Sequence, residues 1–278
     1  MIDMHIHVVN SQLPGAKANQ SRLANPAEET AVWLRREMED AGIEQVLAMG
    51  TTAVSADDPL GVNSTLQIAR HVSGVYAVGV ADPARTDTDH LRRVEDELKA
   101  GKVKALKGYS GYLYYGPDSP SYTPYYELAA RYGVPFIFHT GDTYSTRAKV
   151  KYAHPLLVDE AAVDHPDVRF VMAHCGNPWL IDAAEVVYKN ANVWADLSGL
   201  LVGDAAYFEE MSQRGTLAKV AQNVRDAMDY SERPDRFLYG SDWPLSPMKS
   251  YRRFIELIIP EEQRQAVFSD NAKELFRL

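Results

Sequence analysis

The residues best equipped for chemistry stand at the start of the chain, in Ile2-Asp3-Met4-His5-Ile6-His7. Two histidines separated by one apolar residue close a short apolar run. In a β-strand alternate side chains share a face. This predicts Asp3, His5 and His7 on one side, with Met4 and Ile6 on the other. Two neutral imidazoles a few ångströms apart are half of a divalent-metal site. Such pairs also occur incidentally, so the rest of a site must come from elsewhere. His139 closes the apolar run Pro135-Phe-Ile-Phe-His139, His174 closes Val168-Arg-Phe-Val-Met-Ala-His174, and Asp242 follows Phe237-Leu-Tyr-Gly-Ser. A histidine ending an apolar strand needs a polar partner or a ligand, because burying an unpaired imidazole is costly. Lys107 ends a further run of the same kind.

These runs belong to one rhythm. Strand-like segments fall at Ile2–Val8, Gln45–Met49, Gly74–Val80, Val103–Lys107, Pro135–His139, Val168–His174, Val193–Leu197 and Phe237–Gly240. Helix-like segments between them include Glu28–Ala41, Leu66–His71, Asp89–Ala100, Tyr125–Tyr132, Leu156–Asp164, Ile181–Asn190 and Gly215–Tyr230. Gly42, Gly74, Gly101 and Gly133 each precede a strand, where a left-handed helix terminus favours glycine. Eight alternating units predict an α/β fold, a closed (β/α)8 TIM barrel over residues 1–278 in one domain. Barrel sites lie at the C-terminal ends of the strands, where His5, His7, Lys107, His139, His174 and Asp242 fall. The longest connection, Ser198 to Asp235, carries its own helix and is expected over the mouth.

With these pieces in order, the chain resembles the amidohydrolase superfamily. The resemblance is to the amidohydrolase-related (amidohydrolase 2) branch, which holds nonoxidative decarboxylases and lactonases. It is carried by Asp3-Met-His5-Ile-His7, Lys107, Phe138-His139, Ala173-His174-Cys-Gly176, Tyr239-Gly-Ser-Asp242-Trp-Pro244 and the tail Asn271-Ala-Lys-Glu-Leu-Phe276. It implies one divalent metal held by His5, His7, His139 and Asp242. Three nitrogens and an oxygen suit Zn²⁺ best, with Mn²⁺, Fe²⁺ or Co²⁺ as alternatives. Such an ion would bring the pKa of a bound water to about 7 and make hydroxide available. Asp242 and His174 would be the catalytic residues, Asp242 handling the water's proton and His174 acting as acid/base or hydrogen-bond donor. Some superfamily members carry a carbamylated lysine at the end of strand four. For Lys107 a salt bridge at the mouth is preferred.

Other residues have bland readings beside sharper ones. Asp3 reads as a supporting or turn-capping group. Asp196 reads equally as a polar cavity wall or a cap. Cys175 reads as a packed thiol, not a nucleophile. Seven tyrosines crowd into residues 109–126. They suit a flat, unsaturated substrate, with Tyr109 and Tyr112 as binding residues, or equally a packed lid or subunit contact. Arg22, Arg85 and Arg147 follow strand ends at loop distance, and Arg147 is the first candidate for a substrate carboxylate.

Composition narrows the classes. The chain has 278 residues, 46% hydrophobic and 24% charged, with net charge −9. It has no basic patch for nucleic acid and no cationic block for a membrane. One cysteine excludes an internal disulfide and, with an N-terminus that lacks a leader pattern, leads us to expect a cytoplasmic protein. A small-molecule substrate is expected, and a homo-oligomer is compatible. Three functions stay open. One is metal-dependent hydrolysis of an ester, lactone or amide, which the compact chain favours. The second is nonoxidative decarboxylation of a small unsaturated or aromatic acid. The third is a barrel kept only for binding, which the convergence of polar residues at one rim argues against.

Overall fold

The computed structural model describes residues 1–8 and 26–278. Eight strands run parallel in one sheet and in chain order. They are β1 (Ile2–Ile6), β2 (Gln45–Met49), β3 (Val75–Val80), β4 (Ala105–Gly108), β5 (Phe136–Phe138), β6 (Phe170–Met172), β7 (Val193–Asp196) and β8 (Phe237–Leu238). The sheet closes where the segment after β8 meets β1. Met4 N–H donates to the Tyr239 carbonyl at 3.0 Å, Asp242 N–H to that of His5 at 2.9 Å, and His7 N–H to that of Trp243 at 2.7 Å. The helices of the described residues are α1 (Ala27–Ala41), α2 (Asn63–Ala69), α3 (Thr88–Lys99), α4 (Thr123–Tyr132), α5 (Leu156–Asp164), α6 (Leu180–Lys189), α7 (Ala205–Gln213), α8 (Thr216–Ser231), α9 (Met248–Ile258) and α10 (Asn271–Phe276). The architecture is a (β/α)8 TIM barrel. None of these helices is long and apolar enough to cross a membrane.

The strands read as continuous apolar runs because both their faces are covered. Outward residues such as Val46, Leu106, Phe136, Phe138 and Phe170 pack with Leu34, Val94 and Leu98 of the surrounding helices. Inward residues, among them Ile2, Met4, Leu47, Val78, Ile137 and Val171, form a second cluster. Ala272, Leu275 and Phe276 of α10 join that inner cluster. Arg169, just before β6, donates to the Leu275 carbonyl at 2.8 Å, and Lys104, just before β4, to that of Arg277 at 3.1 Å. Helix α10 therefore stands across the N-terminal ends of the strands, and the opposite end is left for a cavity.

Helix ends follow the sequence signals closely. Gly42 and Gly133 adopt left-handed conformations (φ 67° and 61°) after α1 and α4, and their N–H groups close the last turns. Asp87 caps α3 by accepting the His90 N–H at 3.0 Å. The face alternation expected of β1 is corrected, however. The β1–β2 register shifts between Asp3 and Ile6. Met4 consequently packs with the inner cluster although it precedes His5, and Ile6 packs with the outer one. A bulge of this kind re-aims side chains, so a strict period of two fails at the strand end that carries the histidines.

Candidate metal centre and catalytic cavity

The C-terminal ends of the strands surround a cavity of about 310 Å³. Four imidazoles form a row along it, in the order His7, His5, His174, His139. Their ring centroids are 5.4, 4.9 and 4.9 Å apart in turn. The residue after β1 supplies the first and β1 itself the second, the turn after β6 the third and the residue after β5 the fourth. Asp242 comes in from beyond β8, fixed by its N–H on the His5 carbonyl.

Two carboxylates organise the row. Asp196, at the end of β7, accepts His5 Nδ1–H at 2.8 Å and the backbone N–H groups of His174 and Ser198 at 3.0 and 2.9 Å. Ser198 Oγ donates to the same carboxylate and lies 2.9 Å from His174 Nδ1. Burial pushes the Asp196 carboxyl up, yet His5, His174 and Lys107 hold it well below the usual carboxylate range. Asp242 faces the other edge of the row: its Oδ1 lies 3.2 Å from His7 Nε2 and 3.8 Å from His5 Nε2. Here too burial is more than offset, by His7, His174 and His5, and the carboxyl stays far below its ordinary range.

Two buried polar atoms of this group lack a hydrogen-bond partner. His5 Nδ1–H is committed to Asp196, which leaves Nε2 as a lone pair. Asp242 Oδ1 and His7 Nδ1 are buried without a hydrogen bond. His5, His7 and Asp242 each offer one ligand atom within 4.8 Å of the others. Two imidazole nitrogens and a carboxylate oxygen, with His5 oriented from behind by an acid, match the donor chemistry of a zinc-type ion. The grouping of His5, His174 and Asp196 is equally compact, but its space is taken by the hydrogen bonds of Ser198.

His139 does not join the three-residue group. Its Nε2–H donates to the Asp142 carbonyl at 2.8 Å, its ring packs edge-on against Tyr112, and its Nδ1 faces His174 Nε2 at 3.1 Å. His174 Nδ1 meets the Ser198 carbonyl at 3.2 Å. Two neutral imidazoles hold two N–H groups, and these three contacts ask for three. The His139–His174 pair is thus one proton short and open to receive one. Burial, then the neighbouring His174 and Lys107 charges, drives the pKa of His139 well down; burial also lowers that of His174.

The backbone is strained where these groups sit. His174, Cys175 and Asp242 adopt φ of 61°, 46° and 58°, a left-handed region that residues with a Cβ avoid. The turn aims His174 at the row while Cys175 stays buried, its thiol pushed up to about 12 by burial. That shift favours the protonated thiol.

The remaining sequence candidates divide. Tyr109 and Tyr112 line the cavity. Tyr122 and Tyr126 instead pack on Phe138 and Phe136, with ring centroids 5.0 and 5.1 Å apart. Tyr114 stacks on Tyr152 at the surface. Arg147 is exposed and does not line the cavity; its carbonyl accepts the Tyr114 hydroxyl at 2.7 Å. Arg85 is exposed beside Asp82, 3.7 Å away, and Arg22 lies outside the described residues. Lys107 is buried in the cavity wall and, among the described residues, does not form the expected salt bridge. Burial lowers its pKa to about 8. Among residues the sequence reading did not single out, Ser198, Tyr144 and Tyr207 matter most: the first joins the Asp196 network and the other two line the cavity. Ser198 stands two residues after Asp196, a spacing that a turn-capping aspartate favours and that could have flagged it.

The amidohydrolase family model matches residues 2–278. No curated protein matches the chain. Solved structures share the fold at low identity. A 5-carboxyvanillate decarboxylase of Sphingomonas paucimobilis is 15% identical (TM-score 0.68), over 100% of this chain and 98% of that one. A probable 2-pyrone-4,6-dicarboxylic acid hydrolase of Acinetobacter baumannii, with citric acid bound, is 15% identical (TM-score 0.64), over 100% and 99%. An amidohydrolase of Burkholderia multivorans with bound zinc is 17% identical (TM-score 0.68), over 100% and 99%.

Proposed function

The chain belongs to the amidohydrolase family and is an enzyme of hydrolase or carboxy-lyase type, and we propose that it is a metal-dependent hydrolase of a small ester, lactone or amide, a lactone first. The observation that carries this reading is the buried carboxylate of Asp242, whose Oδ1 faces the Nε2 atoms of His7 and His5 at 3.2 and 3.8 Å.

His5, His7 and Asp242 would hold the ion, with zinc the first choice for two nitrogens and an oxygen. When bound, such an ion polarises a carbonyl and acidifies water at its open position. The rest falls to the protein. Asp196 and Ser198 fix the His5 and His174 rings, so the nitrogen facing the cavity is set in advance. Asp242, ionised in the resting site, takes the proton of the attacking water. The His139–His174 pair, neutral at rest, receives that proton between His139 Nδ1 and His174 Nε2 and passes it to the leaving oxygen. Tyr112, Tyr144, Tyr207 and Leu200 line the wall that receives a flat ring and excludes bulk water.

Proton count favours hydrolysis over decarboxylation. A carboxy-lyase must deliver a proton to carbon as carbon dioxide departs. Here the resting groups are a carboxylate and neutral imidazoles, which begin as proton acceptors. The test is a panel of lactones, esters, amides and aromatic or unsaturated acids, offered to zinc-loaded protein. Acid release and carbon dioxide release are recorded in parallel. We expect acid release that a chelator stops and that Asp242→Asn lowers by at least about a hundredfold. Carbon dioxide release without acid release replaces this reading with the carboxy-lyase one.

A further inference from the structure

One tyrosine outside the cavity lining is tied to the site by both functions of its hydroxyl. Tyr251 of α9 is buried, with its ring packed against Phe208 and Phe254 at centroid distances of 6.1 and 5.7 Å. Its hydroxyl donates to the Leu197 carbonyl at 2.6 Å and accepts the Leu200 N–H at 3.0 Å. These two groups belong to the peptide units immediately before and after the one that joins Ser198 to Gly199. A single side chain from α9 therefore grips the turn after β7 at both ends.

That turn lies directly on His174. The Ser198 carbonyl is 3.2 Å from His174 Nδ1, and a Cβ on Gly199 would come within 2.5 Å of the same nitrogen. A carbonyl only accepts, so Nδ1 carries the proton in this contact. His174 Nε2 is then bare, and it faces His139 Nδ1 at 3.1 Å. His139 Nδ1 is bare as well, because the ring gives its Nε2–H to the Asp142 carbonyl. Two lone pairs meet across the gap. The other tautomer of His174 would fill that gap with a hydrogen bond. It is opposed at the far edge of the ring, where its bare Nδ1 would meet the Ser198 carbonyl, lone pair against lone pair. The choice of tautomer thus turns on how firmly that carbonyl is held. Asp196 takes the Ser198 N–H and Oγ–H. The flanking peptide units are left to Tyr251.

We infer that Tyr251 is a positioning residue: it holds the Ser198 carbonyl on His174 Nδ1 and so keeps the gap between His174 and His139 open to an incoming proton. The tautomer rests on geometry alone; its use in passing a proton to the leaving oxygen rests on the hydrolytic reading. The test compares zinc-loaded wild type with Tyr251→Phe, which keeps the ring and deletes the hydroxyl. Nitrogen-15 spectra of histidine-labelled protein near neutral pH, assigned with His174→Gln, read which nitrogen of His174 bears the proton. Wild type should show it on Nδ1, and Tyr251→Phe should show it on Nε2 in most molecules. A wild-type proton on Nε2 overturns the inference, as does an unchanged Nδ1 proton in the variant. Ser246→Ala is the control. It cuts the tether from Ser246 Oγ to the Leu201 carbonyl at 3.1 Å, in the same loop but beyond the two gripped peptide units, and should leave the proton on Nδ1. An equal shift in that variant would assign the effect to general loosening and overturn the inference. On any substrate of the panel that releases acid, kcat should fall at least about tenfold in Tyr251→Phe with KM within about twofold. A loss carried by KM would make Tyr251 a support of the cavity wall and also overturn it. Should Tyr251→Phe not fold, wild type decides: the Tyr251 hydroxyl proton should exchange slowly and show a cross-peak to the Leu200 N–H, and its loss to rapid exchange overturns the grip. If no substrate releases acid, the hydrolytic reading fails while the nitrogen spectra still decide the tautomer.

Discussion

At the scale of single residues, the site is governed by where protons are withheld. Burial lowers His5 to about 4 from an ordinary 6.5, with the charge of Lys107 adding to it and Asp196 opposing. The unfolded chain therefore binds more protons than the folded one between those values. The sign follows: stability is complete above pH 6.5 and is lost as pH falls through 4, by on the order of 3 kcal/mol from this residue. Chelated protein should show a melting temperature that declines across that interval, and His5→Gln should flatten the decline; an unchanged slope would place the loss elsewhere. The residue types were readable in the sequence because imidazoles at the ends of apolar runs are conspicuous. Partner choice was not. Nothing in the order of residues says that Lys107 lacks a hydrogen-bond partner among the described residues, that Asp196 holds His5, or that Arg147 does not line the cavity, since each depends on separate βα units meeting in space.

At the scale of elements, the mouth is assembled from close backbone approaches. Gly199 follows β7 at φ 62°, and a Cβ there would come within 2.5 Å of His174 Nδ1 and 3.2 Å of Asp242 Oδ2. Gly199→Ala should thus push His174 out of the row and strain a left-handed residue. We expect a loss of roughly 1–3 kcal/mol in stability and at least a tenfold fall in turnover, read by melting temperature and steady-state rates. Wild-type values in both would mean that the loop yields. The eight strands and most helices were legible because apolar runs, glycine stops and spacing agree. The shift within β1 was not, because a bulge leaves no mark in a pattern of five residues. Helix α9, absent from the sequence reading, buries Tyr251, Phe254, Ile255 and Ile258.

At the scale of the whole molecule, the closing helix and the chemistry lie at opposite ends of the barrel. Phe276 of α10 is buried in the inner cluster, at the end away from the cavity. Phe276→Ala should cost about 3–5 kcal/mol while the surviving folded fraction keeps its metal content, measured by denaturant unfolding and elemental analysis. Loss of metal in folded protein would show that the two ends communicate. The separation is incomplete in one respect. The left-handed turns at His174 and Asp242 load strain onto the very side chains that the chemistry needs. Directed evolution for heat tolerance would find relief there in glycine, at roughly 1 kcal/mol per position, and would return sturdier but inert barrels. Selection on this scaffold must therefore score turnover and thermal endurance together.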